Sequence, residues 1–482
     1  MKLQEDERMP GWAARHQRWI DVLAGLLVGL VGGALIALAL HKPVMRLLPL
    51  GGGFGLLFGL VLGPRSTSPG AGLIWGQGAA FSLWLLLPAR ATPLWSNGAA
   101  PANTMLVATR QQLPELISYL VFLGIPLGII LGAMALRREA THRVPFRWTR
   151  PLIAGGLAGA VAGLVFDRWT LSGGFSPLLA GLSGFSSVGR SALVQLAITV
   201  ILGALFGILF QQNIRSVGSC MGWGLGYALT GWVLGPLTAF PLIRGLPLDW
   251  SPASVSNQFG ALIGQMLFGV LLGICFAAFD WMWVLLFIQS DPLYKKLEGP
   301  ALHTFRSLFW GAVSGLLGGL VSAPFMFATG VLSYILGADT HLSVFQALLI
   351  HLSASTLIGM SFGVLFRNET LDISLGVAWG SLFGLICWYV GVLTLLPLAL
   401  NGHLDWRPNT TTMLLPSLIG HLLYGAVSAF IFLMFERRFA SLNVTTKIPR
   451  PSLAVIQPAA TPAPALCFFA IGLGILLPLL LV

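Results

Sequence analysis

The chain is written as long apolar runs separated by short polar or Pro/Gly-rich breaks. The runs are ~18–25 residues long, the length a helix needs to cross ~30 Å of hydrocarbon. They lack the period-two alternation of a transmembrane barrel strand. The pattern predicts transmembrane helices over 19–40, 47–64, 71–89 and 113–137, over 150–168, 190–211, 217–243 and 257–288, and over 306–336, 344–366, 373–400 and 412–437. A thirteenth, 466–482, follows a Pro/Ala-rich linker at 439–465 containing QPAATPAPA, and residues 1–18 precede the first helix.

The runs also repeat, and a period missed here would mis-assign the fold. WGLGYALTGWVLGPLTAFPLIRGLPLDW at 223–250 is answered, 156 residues later and without a gap, by WGSLFGLICWYVGVLTLLPLALNGHLDW at 379–406. At that offset Gly155, Gly159 and Gly163 fall on Gly311, Gly315 and Gly319, and Trp223, Trp232, Pro241, Asp249 and Trp250 fall on Trp379, Trp388, Pro397, Asp405 and Trp406. A weaker copy precedes them: Gly25, Gly29 and Gly33 repeat the glycine spacing, and Trp75 and Trp84 keep the nine-residue interval of Trp223 and Trp232. The expected fold is an all-α polytopic membrane protein of three tandem four-helix repeats, at 19–140, 150–296 and 306–438, plus the last helix. An even number of helices returns each copy to the same face. The repeats are therefore parallel, about an axis along the membrane normal, and three of them point to a pseudo-threefold bundle.

Each recurring feature has a physical reading. GxxxGxxxG in the first helix of a copy gives a groove into which another backbone can settle, where lipid offers no hydrophobic drive. Three such seams are expected where first helices meet near a central axis. In the third helix, TxxP at Thr238–Pro241 and Thr394–Pro397 predicts a kink, because proline cannot donate to the carbonyl four residues back. A threonine hydroxyl can take over a freed carbonyl. The LDW that follows places Trp250 and Trp406 in the headgroup zone, with Asp249 and Asp405 capping the next segment.

Composition agrees and removes other classes. Hydrophobic residues are 56% of the chain and charged residues 9%, against about 25% charged in a soluble domain. The net charge of +11 could mean nucleic acid, but the 27 Lys and Arg divide 19 to 8 between alternate loops. That is the positive-inside bias. It puts the N-terminus in the cytoplasm and the C-terminus outside, in a plasma or inner membrane, with the lipid bilayer rather than nucleic acid as partner. Cys220, Cys275, Cys387 and Cys467 lack metal or redox spacing and read as small core residues.

Polar residues inside a membrane helix are costly and are functional candidates by default. Gln195 and Gln265 lie in the second and fourth helices of copy two, and His351 and His421 occupy the same places in copy three. Each lies ~12–14 Å from the outer helix end at 1.5 Å rise per residue. Equal depth and joint change predict contact across a helix pair. Two histidines there could ligate one haem axially; a Gln pair at the equivalent sites speaks instead for an interhelical hydrogen bond. A proton relay is a third reading of the pair. HExxH, GxSxG, P-loop and dinucleotide motifs are absent from the sequence, so no enzymatic activity is expected. Few buried charges, glycine seams and the absence of soluble domains point to a structural or accessory subunit that binds other membrane subunits. A transporter or channel for a small solute, and a haem-binding redox subunit, are the alternatives.

Overall fold

A computed structural model describes residues 11–87, 102–140, 148–172, 188–287, 300–329, 343–367, 369, 372–443 and 461–482. The N-terminal 1–10 and the linker at 444–460 lie outside the described residues. Those described are nearly all helical, with no strand among them. Among the described residues twelve helices are long and apolar enough to cross a membrane, and the chain is a polytopic helical membrane protein.

In chain order the long helices are α1 (Gly11–Ala39), α2 (Val44–Val61), α3 (Pro69–Leu86), α4 (Leu113–Tyr119, Leu120–Gly124 and Ile125–Ala140), α5 (Thr149–Ser172), α6 (Val188–Phe210) and α7 (Val217–Leu234, Gly235–Ala239 and Phe240–Ile243). They continue with α8 (Phe259–Phe287), α9 (Pro300–Ala328), α10 (Val344–Phe366), α11 (Ile373–Cys387, Trp388–Leu395 and Leu396–Asn401), α12 (Pro408–Asn443) and α13 (Ala463–Leu481). The span expected at 71–89 forms as α3, but Gly70, Gly72, Gly76, Gly78 and Gln77 leave it less apolar than the rest, and it is not among the twelve. Serines start several helices. Ser216 accepts from Ser219 N at 3.0 Å, and Ser343 from Gln346 N at 3.3 Å. Each satisfies one of the donors that a helix start leaves open.

The chain packs as two compact units, Met1–Phe146 with Gln457–Ala465, and Arg147–Ile456 with Leu466–Val482. In the first, α1 lies antiparallel on α2, with Gly25 on Gly55, Gly29 on Gly51 and Gly33 on Leu47. α3 lies on α4 through Gly72–Gly128 and Gly76–Gly124. Lys42, after α1, pairs with Glu115 of α4 at 2.5 Å.

The second unit uses the same two kinds of seam. Gly155 and Gly159 of α5 meet Gly203 and Thr199 of α6, while Gly311 and Gly315 of α9 meet Gly359 and Ser355 of α10. Gly224 of α7 meets Gly269 of α8, and Gly380 of α11 meets Gly425 of α12. Arg150 on α5 holds Asp280 on α8 at 2.6 Å, and Arg306 on α9 holds Glu436 on α12 at 3.1 Å. The α7 and α11 helices join through Trp223 and Trp379, whose ring centroids are 5.2 Å apart. Gly474 of α13 faces Tyr389 and Leu385.

The nine first-helix glycines therefore do not meet one another at an axis, as the spacing led one to expect. Each closes on the second helix of its own hairpin, with Gly163 on Thr199 and Gly319 on Ser355 completing the set. The opposite faces of these helices are exposed and apolar, as at Leu27, Val31, Leu157, Leu316 and Leu320.

Candidate functional site

The breaks in the third helices are π-turns, Gly235–Ala239 and Trp388–Leu395. Wide turns of this kind accommodate an interrupted ladder and are frequent at functional sites. Thr238 Oγ1 donates to Val233 O and Thr394 Oγ1 to Tyr389 O, each at 2.7 Å and five residues back. The threonine hydroxyls do take up a carbonyl beside each break, but it is not the one that proline frees.

The tryptophans of LDW behave differently from expectation. Trp250 and Trp406 are 4% and 3% exposed, turned into the protein rather than out to headgroups. Trp250 Nε1 donates to Leu237 O at 2.9 Å, and Trp406 Nε1 to Leu393 O at 3.0 Å. Those carbonyls lie four residues before Pro241 and Pro397, the positions where proline removes the donor. The indole replaces the missing N–H, and an unpaired buried carbonyl would otherwise be costly. A second set of tryptophans ties the third helix to the fourth. Trp84 donates to Gln112 O at 3.0 Å and Trp232 to Gln258 O at 2.9 Å, just before α4 and α8 begin. Trp388 reaches Ser417 Oγ at 2.8 Å.

The two aspartates bind the residues that follow them, but the N-cap of the short helix after Asp249 is Ser251, which accepts from Ser254 N at 3.4 Å. Asp249 accepts from Ser251 N at 2.9 Å and from the Ser254 hydroxyl, which hold its carboxyl below the usual range. Asp405 accepts from Arg407 Nε at 2.7 Å and Thr410 Oγ1 at 2.8 Å. The Arg407 guanidinium lowers it to about 2. A lowered carboxylate stabilises the fold above its unfolded pKa and loses that contribution as pH falls through the folded value. Arg407 is 79% exposed, so solvent screens the pair, and Asp405→Asn is expected to cost ~1 kcal/mol near neutral pH. The gap to wild type should close between about pH 4 and pH 2. Melting curves in detergent check this; a gap independent of pH would show that the charge is not what Asp405 contributes.

His351 and His421 do not bond to each other. His351 Nε2 is 3.1 Å from Gly319 O on α9, and His421 Nδ1 is 2.9 Å from Ser417 O on its own helix. The interhelical bond expected of the pair is thus made to backbone, because a glycine at 319 brings a carbonyl within reach. Gln195 is buried on α6, and Gln265 lies against Gly231 of α7. Toward a haem, His351 would have only Nδ1 to offer without breaking its bond, and His421 would have Nε2. Among the described residues no three His, Cys, Asp or Glu side chains come together closely enough to hold a metal ion.

Glu369 escaped the reading of the sequence, since a lone acid in a loop carries no spacing signal. It is 2% exposed and lies by Arg215, Ser216 and Ser219 at the start of α7. Its Oε1 has no partner. Burial pushes its carboxyl up, against the smaller opposing effects of the Ser219 hydroxyl and the Arg215 charge. A raised carboxyl favours the fold below its unfolded pKa, and this is lost as pH rises through the folded one. Glu369→Gln should therefore melt with wild type in acid and above it at mildly alkaline pH. A less stable variant at alkaline pH would mean that the attraction of the Arg215 charge outweighs burial.

No known protein family, curated protein or solved structure matches the chain.

Proposed function

We propose that the protein is a non-enzymatic structural or accessory subunit of a larger membrane assembly, built from three tandem parallel copies of a four-helix unit about a pseudo-threefold axis. The observation that supports the functional reading is where polar side chains of the spans and of the loops beside them are directed. Thr238, Thr394, Trp232, Trp250, Trp406 and Tyr424 all donate to backbone carbonyls of this chain. Side chains used in this way hold helices at fixed angles and are not presented to a substrate. The apolar outer faces of the first and second helices leave surface for lipid and for neighbouring membrane subunits.

Recurrence of contacts supports the three copies. Gly224–Gly269 and Gly380–Gly425 stand at the 156-residue offset, and Gly76–Gly124 makes the same kind of contact. In that register Leu120 answers Gln265 and His421. The basic loops favour an N-terminus in the cytoplasm and a plasma or inner membrane.

The test is purification of the tagged chain from its native membranes in mild detergent, with mass spectrometry and an absorption spectrum of what accompanies it. Stoichiometric membrane partners are expected. A protein that purifies alone would overturn the subunit reading, and a Soret band lost on His351→Gln would assign haem. The second reading is transport of a small solute. The π-turns Leu120–Gly124, Gly235–Ala239 and Trp388–Leu395 favour it, because transporters place sites at interrupted helices.

A further inference from the structure

The ends of α7 and α11 that follow their π-turns are built to one plan and finished differently. α7 counts 27 residues from Val217 to Ile243, which is ~40 Å at 1.5 Å per residue against ~30 Å of hydrocarbon. The chain turns back at Gly245, whose φ of +70° is a conformation that favours glycine. Gly245 N donates to Leu242 O at 3.0 Å and Leu246 N to Pro241 O at 2.9 Å, the paired bonds of a Schellman turn. The chain then returns to Trp250, whose indole reaches Leu237 O. Asp249 beside it is exposed and lies inward of the turn. By length and by charge, the tip at 242–247 stands beyond the hydrocarbon.

Apolar side chains crowd that tip. Leu242, Ile243 and Leu246 are 53%, 72% and 53% exposed. A Schellman turn commonly packs the residue after its glycine onto the preceding turn, but here Leu246 leaves more than half its surface open. Single exposed aliphatic residues are ordinary; three on one hydrogen-bonded turn make a contiguous patch. α11 shows that the turn does not need them. Its own left-handed glycine, Gly402, has a φ of +72°, and His403 Nδ1 lies 2.9 Å from Asn401 O across it. Asn401 and His403 flank that glycine as Arg244 and Leu246 flank Gly245, and Ala399 stands where α7 has Leu242. Arg244 is exposed within the patch. Asp249, the acid nearest to it in the chain, is engaged by Ser251 and Ser254. Among the described residues no carboxylate lies within ion-pair distance of Arg244.

We propose that this turn is the docking site for an outer loop of a partner membrane subunit, one that offers an apolar pocket with a carboxylate at its rim. Charge complementarity selects that partner: a cation with no acid of its own, set among aliphatic side chains, pairs with an acid from outside the chain. Anchoring in the headgroup layer favours Trp and Tyr, and this turn carries aliphatic side chains instead. Its shape is fixed in advance by the two backbone bonds and by Trp250, so docking orders little that is not already ordered. An arginine seated among apolar contacts is the kind of residue that carries a large share of binding energy. The proposal rests on the subunit reading and gives it a place and a chemistry.

The test uses the full-length chain purified from its native membranes in mild detergent. Wild type should carry its partner in stoichiometric amount. Ile243→Asn/Leu246→Asn should melt with wild type, because both side chains are exposed, yet recover at least about tenfold less partner, as loss of central contacts does. Arg244→Glu should lose the partner more completely than Arg244→Gln, since a reversed charge meets the partner's acid. Asn401→Ala/His403→Ala, on the matching turn, should retain it. Ile243→p-benzoylphenylalanine, irradiated in intact membranes, should cross-link to that same co-purifying chain, at a segment holding an acid among apolar residues. Full partner recovery with the Ile243/Leu246 or Arg244→Glu variant, equal loss with the Asn401/His403 variant, or a cross-link only to lipid or to a second copy would overturn the docking site and leave the subunit reading standing. A wild-type chain that purifies alone would overturn both.

Discussion

Gly315→Leu is expected to abolish recovery of folded protein. A Cβ at Gly315 would stand 2.5 Å from Ser355 O and 2.7 Å from Gly359 Cα, both backbone atoms of α10. A flexible side chain could swing aside; a helix backbone cannot. The two helices must separate along their length, forfeiting the close contacts that are the attraction between them. Ordinary overpacking costs about 1–3 kcal/mol, and a backbone obstacle puts this case at or above the top of that range. Total stabilities of about 5–15 kcal/mol leave little reserve. Gly53→Leu is the control, because nothing lies within 4 Å of a Cβ there. Its yield and melting temperature in detergent should match wild type. A Gly315→Leu protein that also melts with wild type would remove the seam as a source of stability.

The second large effect is expected at Trp406. Trp406→Phe keeps an aromatic ring but removes the pyrrole half of the indole with the N–H that serves Leu393 O, leaving a buried acceptor unpaired at a cost of about 1–3 kcal/mol, to which the lost packing adds. Proline 397 is the reason that acceptor is open. In a Pro397→Ala background the chain recovers its own donor to Leu393 O, and Trp406→Phe should then cost less. The double-mutant cycle measures that coupling directly. Equal costs in both backgrounds would show that the indole does not act for the missing proline N–H. The same cycle applies to Trp250 and Pro241, where the geometry recurs.

Helix positions were legible because each apolar run had to satisfy its own backbone in hydrocarbon. The span read at 344–366 is Val344–Phe366, and that read at 217–243 ends at Ile243. Local chemistry was legible where donor and acceptor are near in sequence: Thr238 and Thr394 reach five residues back, and Asp249 and Asp405 bind the next few residues. Contacts between distant residues were not. The sequence shows glycines at every fourth position but not which helix fills the groove, so the first-helix seams were assigned to an axis and found inside hairpins. The seams of α3 with α4, α7 with α8 and α11 with α12 went unread although Gly124, Gly128 and Gly132 of α4 and Gly376, Gly380 and Gly384 of α11 keep the same four-residue spacing.

By itself the sequence determined that this is a polytopic helical membrane protein, where its helices run, and that TxxP interrupts two of them. These follow from hydropathy and from the covalent form of proline, which no packing can change. Only the tertiary structure decided that Trp250 and Trp406 turn inward to the carbonyls that proline frees, that His351 and His421 bond backbone rather than each other, and that Glu369 is buried against the start of α7. Each of these depends on a partner brought near from another part of the chain. An indole, an imidazole or a carboxylate takes whichever acceptor or donor the packing places within reach.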